Sequence, residues 1–282
     1  MIIKNVFEVA DQALATKPEY VKIAWSTVDR VIERMRKDGP PKFFDDNEKY
    51  QIGIYNEVLK ELVASSINYC YWYGVSDIRP NNVSSTAMYE CLEYAFKLSK
   101  SYDTRFSKVI YTLIELLSVN RFPMLEERKR HLLELLEDQK GENFAREVVN
   151  KNADIDMMCR YFQGFASDIF LKRASLFFIQ IYRKFEWYKD IVLPVPADYQ
   201  VPKILRHFGC LQYSPSLEED IYEGKLIPKN SLEEIQIRAA TIRVCEKMRE
   251  ELGWHIGDVD TYLWTRRKLT DMPFHLTITS DY

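Results

Sequence analysis

Apolar residues recur at intervals of three and four along most of this chain, which is the spacing of one face of an α-helix. Glycine and proline, the residues that dominate turns, number only 9 and 11 among 282 residues. The sequence therefore predicts a mainly α fold with a few short strands. Beyond the first 40 residues, the predicted helices are 54–68, 86–100, 105–119, 123–138, 142–151, 154–164, 168–186, 201–208, 217–224, 231–252 and 258–268.

The two ends of the chain carry predictions of their own. Residues 5–37 predict two helices, because Lys17-Pro18 interrupts the apolar pattern and Gly39 follows its second half. The second of these helices is expected to run from Val21 to Met35. The tail 273–282 alternates in polarity, which predicts a strand.

Composition and charge exclude several classes of protein. A chain of 282 residues can bury the core of one large domain or of two small ones. The net charge of −3 argues against a dedicated nucleic-acid binder, which normally carries a basic excess. No apolar run approaches the roughly 18 residues that span a membrane, and the N-terminus fits no signal or transit peptide. The five cysteines are odd in number and widely spaced, which predicts reduced thiols, no metal site and a cytoplasmic protein.

The stretch 194–209 places a carboxylate just before a helix. Pro194 and Pro196 force an extended approach, because each fixes its own φ and keeps the preceding residue out of the helical region. Asp198 follows, and helical spacing then continues to Gly209. The unpaired N–H groups and the dipole of a helix start favour an ionised carboxylate there. Asp198 is therefore either an ordinary capping residue, which is the simpler explanation of this stretch alone, or a functional carboxylate.

Two further features allow both a structural and a functional interpretation. Lys172 lies beside the apolar face of the predicted helix 168–186, where a lysine usually extends to water. A desolvated lysine instead has a lowered pKa and can act as base, nucleophile or anion clamp. The aromatic run 68–73 is either a buried end of a helix or strand, or a stacking wall for a planar ligand.

Several segments of this chain occur together, in the same order, in one family. They are Asn68-Tyr-Cys-Tyr-Trp72, Pro123-Met-Leu-Glu-Glu-Arg128, Phe165-Ala-Ser-Asp168, Lys172-Arg-Ala174, Ala197-Asp-Tyr-Gln-Val-Pro202, Gly209-Cys-Leu-Gln-Tyr-Ser214, Glu234-Ile-Gln-Ile-Arg238, Asp260-Thr-Tyr-Leu-Trp264 and Pro273-Phe-His275. On these segments the chain resembles the queuosine salvage proteins, which are queuosine 5′-phosphate N-glycosidases. The resemblance implies a single helical domain over residues 1–282, related to the helix-hairpin-helix DNA glycosylases, with an N-terminal helical part at 1–122 and the catalytic motifs at 123–282.

The resemblance also implies a reaction and its catalytic residues. The family releases the base queuine from queuosine 5′-monophosphate, leaves ribose 5-phosphate and so returns queuine to tRNA modification. The substrate is a small molecule, and no cofactor is implied. The family's catalytic aspartate falls on Asp198 and its active-site lysine on Lys172. Lys172 is expected to clamp the phosphate, contact the base or attack the sugar, and the sequence leaves these three roles open.

Eight further residues are candidates for binding the substrate. The aromatic pair is expected to stack on the base, the three acids to read the secondary amine and the diol of queuine, and the Arg–His pair to bind phosphate. The candidates are Tyr71, Trp72, Asp168, Tyr199, Glu234, Arg238, Asp260 and His275.

Three of these candidates have an equally good structural explanation. Glu234 follows Ser231 in a capping-box pattern at the start of the helix 231–252. Asp260 is also explained as a helix cap, and Arg238 as one partner of a buried ion pair.

The chain also departs from the family at three positions. The family usually has Arg where Gln200 stands, Gln where Lys203 stands and Glu where Gln236 stands. Because of these changes, three alternatives to queuosine 5′-monophosphate hydrolysis stay open. They are a glycosidase for another modified deazapurine nucleotide, a DNA glycosylase, and a non-catalytic protein that binds the base.

Overall fold

The computed structural model describes residues 2–42, 53–73, 83–100 and 105–282. This part of the chain is mainly helical with two short strands, so the predicted fold class is confirmed. The helices are α1 (Ile2–Ala15), α2 (Trp25–Asp38), α3 (Ile54–Ile67), α4 (Ser85–Lys100), α5 (Phe106–Val119), α6 (Leu125–Glu134), α7 (Lys140–Val149), α8 (Ile155–Tyr161), α9 (Gln163–Ala166), α10 (Lys172–Phe185), α11 (Gln200–His207), α12 (Pro215–Tyr222), α13 (Leu232–Leu252) and α14 (Ile256–Thr265). The strands are β1 (Val21–Ile23) and β2 (Leu211–Tyr213), and short 3-10 helices cover Glu137–Gln139 and Arg266–Leu269.

These elements form two compact units. The first contains α1, β1 and α2 together with α10–α14 and β2. The second contains α3–α9 and the last residues, 279–282. The prediction of one domain over 1–282 stays a prediction.

Helix α13 is the centre of the first unit. It packs against α1, α2, β1, α11 and α14, and it is buried on most of its faces. The Ser231 hydroxyl caps it by accepting the N–H of Glu234 at 3.3 Å. The helix ends at Gly253, whose φ of 65° suits the left-handed end of a helix. A 21-residue helix with this much buried surface gives the unit a rigid axis.

The first 24 residues differ from the sequence prediction. The second predicted helix was expected to begin at Val21, but α2 begins at Trp25. Residues 21–23 form β1, which pairs antiparallel with β2, so that Val21 lies opposite Tyr213. The partner strand lies far along the chain, and a pattern of local spacing carries no signal of it.

The predicted C-terminal strand is also wrong. Within the tail 273–282, Leu276 alone forms a β-bridge, to Leu226 in parallel orientation. Pro228 follows this bridge on the partner segment and has no N–H with which to extend a ladder.

The second unit is a helical cluster in which α3 packs against α4, α6 and α7. Arg128 of α6 is fully buried and closes the end of α3, because its guanidinium donates to the carbonyl oxygens of Ile67 and, at 2.7 Å, Cys70. Residues 68–73 leave the helix at this point. Among the described residues, no helix is both long and apolar enough to cross a bilayer.

Candidate active site

Asp198 lies one residue before the cap of α11, at the end of a strap formed by residues 193–198, where its N–H binds the Pro196 carbonyl oxygen at 2.8 Å. The strap is buried from Leu193 to Ala197, whereas the Asp198 side chain is partly exposed. Its Oδ1 accepts the N–H of Gln200 at 2.7 Å. Oδ2 receives no hydrogen bond from the part of the chain that the structure describes. Asp198 therefore performs the capping role with one oxygen and keeps the other available for chemistry.

The start of α10 is built around Asp168. Its Oδ2 accepts the backbone N–H of Lys172 at 2.7 Å, and its Oδ1 accepts that of Phe170 at 3.1 Å. Leu171 adopts a left-handed conformation with φ of 54°, which delays the start of the helix to Lys172. The sequence predicted a helix from 168. The carboxylate of Asp168 instead holds a turn that sets the position of Lys172.

The Lys172 ammonium group is buried in the field of three carboxylates. Burial lowers the pKa of Lys172 to about 8, while the charges of Asp198, Asp260 and Asp168 raise it and that of Arg173 lowers it. The amine is therefore mostly protonated at neutral pH and gives up its proton more easily than an ordinary lysine. The two predicted catalytic residues, Asp198 and Lys172, therefore interact electrostatically.

Asp260 of α14 is the third member of this charged cluster. Arg183 of α10 binds it through an ion pair of 2.7 Å between Nη2 and Oδ2. Burial raises the pKa of Asp260, the charge of Arg183 lowers it, and the neighbouring charge of Asp198 raises it again. Arg183 was not among the predicted residues, because an arginine in the last turn of a helix carries no sign in the sequence of its distant partner.

Arg238 of α13 joins the strap to the start of α10. Its Nε donates to the carbonyl oxygen of Ala197 at 2.9 Å, and its Nη2 donates to Asp168 at 2.7 Å. Its Nη1 donates to Glu234 at 3.2 Å. The side chain is 1% exposed. Of the two interpretations that the sequence left open, the contacts of Arg238 match the buried ion pair.

The two acids that bind Arg238 are fully occupied by the protein. Burial would raise the pKa of Asp168, but the charge and hydrogen bond of Arg238 and the two backbone N–H groups hold it below its usual range. Glu234 is also buried, and its Oε2 accepts the N–H of Asn230 at 3.2 Å. Ser231 caps α13 as predicted. The Glu234 carboxylate binds the N–H of Asn230, the residue before the cap.

His275 and Tyr199 belong to the same unit as Asp198. Burial and the charges of Arg238 and Arg206 lower the pKa of His275 to about 3, so the ring is neutral at physiological pH. A neutral imidazole is a weak partner for phosphate. Tyr199 is buried with its ring on Phe274, at 4.6 Å between centroids.

The predicted stacking pair belongs to the second unit. Tyr71 and Trp72 are both buried. The Tyr71 hydroxyl donates to Asn68 at 3.0 Å, and its ring meets Phe122 edge-on at 6.4 Å. Their contact with a base stays a prediction.

Gln236, one of the departures that the resemblance implied, binds backbone groups near the N-terminus. Its Nε2 donates to the carbonyl oxygens of Ala13, Thr16 and Pro18 at 3.0 to 3.1 Å. Its Oε1 accepts the N–H of Tyr20 at 2.7 Å. The amide therefore ties the turn after α1 to α13.

Comparison with known proteins identifies the relatives of this chain. The model of a family described as "Queuosine salvage protein" matches residues 61–280. The match leaves out α1, β1, α2 and the first turns of α3.

Several relatives carry the same name, "Queuosine 5′-phosphate N-glycosylase/hydrolase". The protein from Sphaerobacter thermophilus is 27% identical over 259 residues, which cover 78% of this chain and 80% of the relative. The one from Dictyostelium discoideum is 33% identical over 150 residues, covering 45% and 47%. The one from Nematostella vectensis is 32% identical over 205 residues, covering 57% and 59%.

Proposed function

This chain belongs to the queuosine salvage protein family, and we propose that it hydrolyses the N-glycosidic bond of queuosine 5′-monophosphate. The products are queuine and ribose 5-phosphate, and queuine returns to tRNA modification. The names of the relatives support this reaction. The observation that carries the proposal is the buried ammonium of Lys172 in the field of Asp198 and Asp260. The same proposal includes the cytoplasmic location expected from the sequence.

Asp198 stabilises the sugar as the bond breaks. Loss of the base leaves positive charge on the ribose C1′, and a fixed carboxylate beside that carbon stabilises the charge or captures it. The Asp198 Oδ1 is held by the N–H of Gln200, which fixes the orientation of the carboxylate. The Oδ2 faces the reaction, and water then adds to C1′.

Lys172 supplies the proton that the leaving base needs. A 7-deazapurine has carbon where a purine has N7, so the usual protonation at N7 is absent. Another donor must therefore meet the developing negative charge. The pKa of Lys172, lowered to about 8 by burial, makes its ammonium a better acid than an ordinary lysine. The proton given to the base is replaced by one from the attacking water, so the reaction is balanced.

Asp260 favours the charged form of Lys172. Its carboxylate raises the pKa of Lys172 and thereby keeps the ammonium protonated for the next turnover. Asp260 is itself a candidate to meet the cationic amine of the substrate. Asp168 and Glu234 are occupied by Arg238, which supports a scaffold role for these two acids.

A direct assay tests this function against the competing ones. Purified protein is incubated with queuosine 5′-monophosphate, queuosine, a second 7-deazapurine nucleotide and GMP, and the free bases are measured by mass spectrometry. We expect queuine from the first substrate and its loss in Asp198→Asn with the circular dichroism spectrum unchanged. Cleavage of the second deazapurine nucleotide alone would reject queuine as the base and retain the reaction class.

Two outcomes would point to a different kind of protein. Excision from duplex DNA with strong salt dependence would identify a DNA glycosylase, which the net charge of −3 disfavours. Tight binding of queuine without turnover of any nucleotide would identify a binding protein.

A further inference from the structure

The proposed substrate carries a phosphate next to the ribose, Lys172 is assigned to the leaving base, and the contacts and charge of the Arg–His pair do not suit phosphate binding. Arg238 is buried in its contacts with Ala197, Asp168 and Glu234. His275 is neutral at physiological pH because burial lowers its pKa to about 3. A phosphate near Asp198 would also bring two negative charges together, which requires a cation close to both.

Arg267 is placed where such a cation is needed. It lies in the short 3-10 helix Arg266–Leu269, which packs against α11 and α14. Asp198 and Tyr199 lead directly into α11. The Arg267 guanidinium lies 3.3 Å from the ring centroid of Trp264, and its Nη1 donates to the Trp264 carbonyl oxygen at 2.8 Å. These two contacts hold the planar group in one orientation.

The charge of Arg267 interacts with the charge of Asp198 in the candidate site. Among the described residues, no carboxylate pairs with Arg267. Partial burial lowers the pKa of Arg267, and the charges of Tyr199 and Asp198 raise it. The guanidinium stays cationic at any physiological pH. Its neighbour Arg266 binds Asp38 at 3.2 Å, whereas none of the described carboxylates forms an ion pair with Arg267.

We propose that Arg267 binds the 5′-phosphate of the nucleotide whose glycosidic bond faces Asp198. This inference rests on the proposed function and adds the group that selects a nucleotide over a nucleoside. Nη2 and Nε of Arg267 offer the fork of donors that matches two phosphate oxygens. The 3-10 helix after α14 is thus a specificity element of the site.

The test compares Arg267→Gln with Lys268→Gln, which removes the same charge from the exposed next residue. Values of kcat/KM are measured for queuosine 5′-monophosphate and for queuosine, which lacks the phosphate. We expect Arg267→Gln to lower kcat/KM for the nucleotide roughly tenfold to a hundredfold, mainly through KM, and to leave the nucleoside value unchanged. Lys268→Gln should change neither value by more than about twofold.

A binding measurement separates this inference from the proposed reaction. Calorimetry with ribose 5-phosphate should show weaker binding to Arg267→Gln than to the wild type, even if the wild type cleaves neither substrate. Equal losses on nucleotide and nucleoside, or unchanged binding of ribose 5-phosphate, would overturn the role of Arg267. If the wild type cleaves neither substrate, the proposed function fails by itself.

Discussion

The Arg238 side chain donates from Nε to the carbonyl oxygen of Ala197 at 2.9 Å, one residue before Asp198. The same guanidinium binds Asp168, which holds the backbone N–H of Lys172. One buried arginine of α13 therefore contacts both the strap that carries Asp198 and the turn that positions Lys172.

We expect Arg238→Met to destabilise the protein by about 3–5 kcal/mol, because Asp168 and Glu234 would stay buried without their cation. Urea unfolding followed by circular dichroism measures the change. Arg249→Met is the matched control on the same helix, since Arg249 pairs with Glu246 and remains one quarter exposed. It should cost no more than about 1 kcal/mol. If Arg238→Met lost as little stability as the control, the structural role of Arg238 would be contradicted.

Two substitutions at Asp198 separate its capping role from its catalytic role. Asp198→Asn keeps an oxygen that can accept the N–H of Gln200, so its stability should change little, while kcat should fall roughly a thousandfold. Asp198→Ala should lose the same activity and about 1 kcal/mol of stability in addition. Steady-state release of queuine and thermal unfolding give the two readouts. Comparable activity in Asp198→Asn and the wild type would remove Asp198 from the mechanism.

Activity should decline above about pH 8, because the pKa of Lys172 lies there and the proposed acid is its ammonium form. The charge of Asp260 raises the pKa of Lys172, so Asp260→Asn should lower that pKa and move the decline to lower pH. The profile of kcat/KM from pH 6 to 10 shows this shift. Asp258→Asn removes a carboxylate from the same helix that does not act on Lys172, and its decline should stay in place. If the decline of kcat/KM stayed at the same pH in Asp260→Asn, the decline would not report the pKa of Lys172.

Replacing Gln236 by the glutamate that the resemblance implies at this position should weaken the fold and leave the chemistry intact. The new carboxylate would face the carbonyl oxygens of Ala13, Thr16 and Pro18 in a fully buried place. We expect Gln236→Glu to cost roughly 3–5 kcal/mol, less at low pH where the acid is protonated. Gln212→Glu makes the same exchange on an exposed residue of β2 and should be neutral. A changed kcat/KM for Gln236→Glu at full stability would mean that Gln236 acts on the substrate.

Most helices could be predicted from the chain because their signals are local. Ser231 and Gly253 bound α13, and the apolar spacing between them identifies a helix with no knowledge of the fold. Residues 21–23 show the limit of such signals. Their apolar pattern fits a helix, but pairing with β2, which lies far along the chain, decides in favour of a strand.

The sequence predicted members of the candidate site, but not the contacts between them. The ordered motifs pointed to Asp198 and Lys172, and the family match over 61–280 confirms the resemblance on which they were chosen. Their mutual field, the ion pair of Asp260 with Arg183, and the placement of Arg267 all join residues far apart in sequence. No local pattern encodes such contacts.

The sequence by itself determined the helical class, the family and the identity of the two proposed catalytic residues, because these depend on short-range spacing and ordered motifs. Only the tertiary structure decided which cations the acids bind, and therefore which remain for the substrate. Arg238 and Gln236 were candidates for function or loss of function in the sequence, and both are engaged in buried structural contacts. Burial removes water from a charged or polar group, so its partners in the fold, not its residue type, set its role.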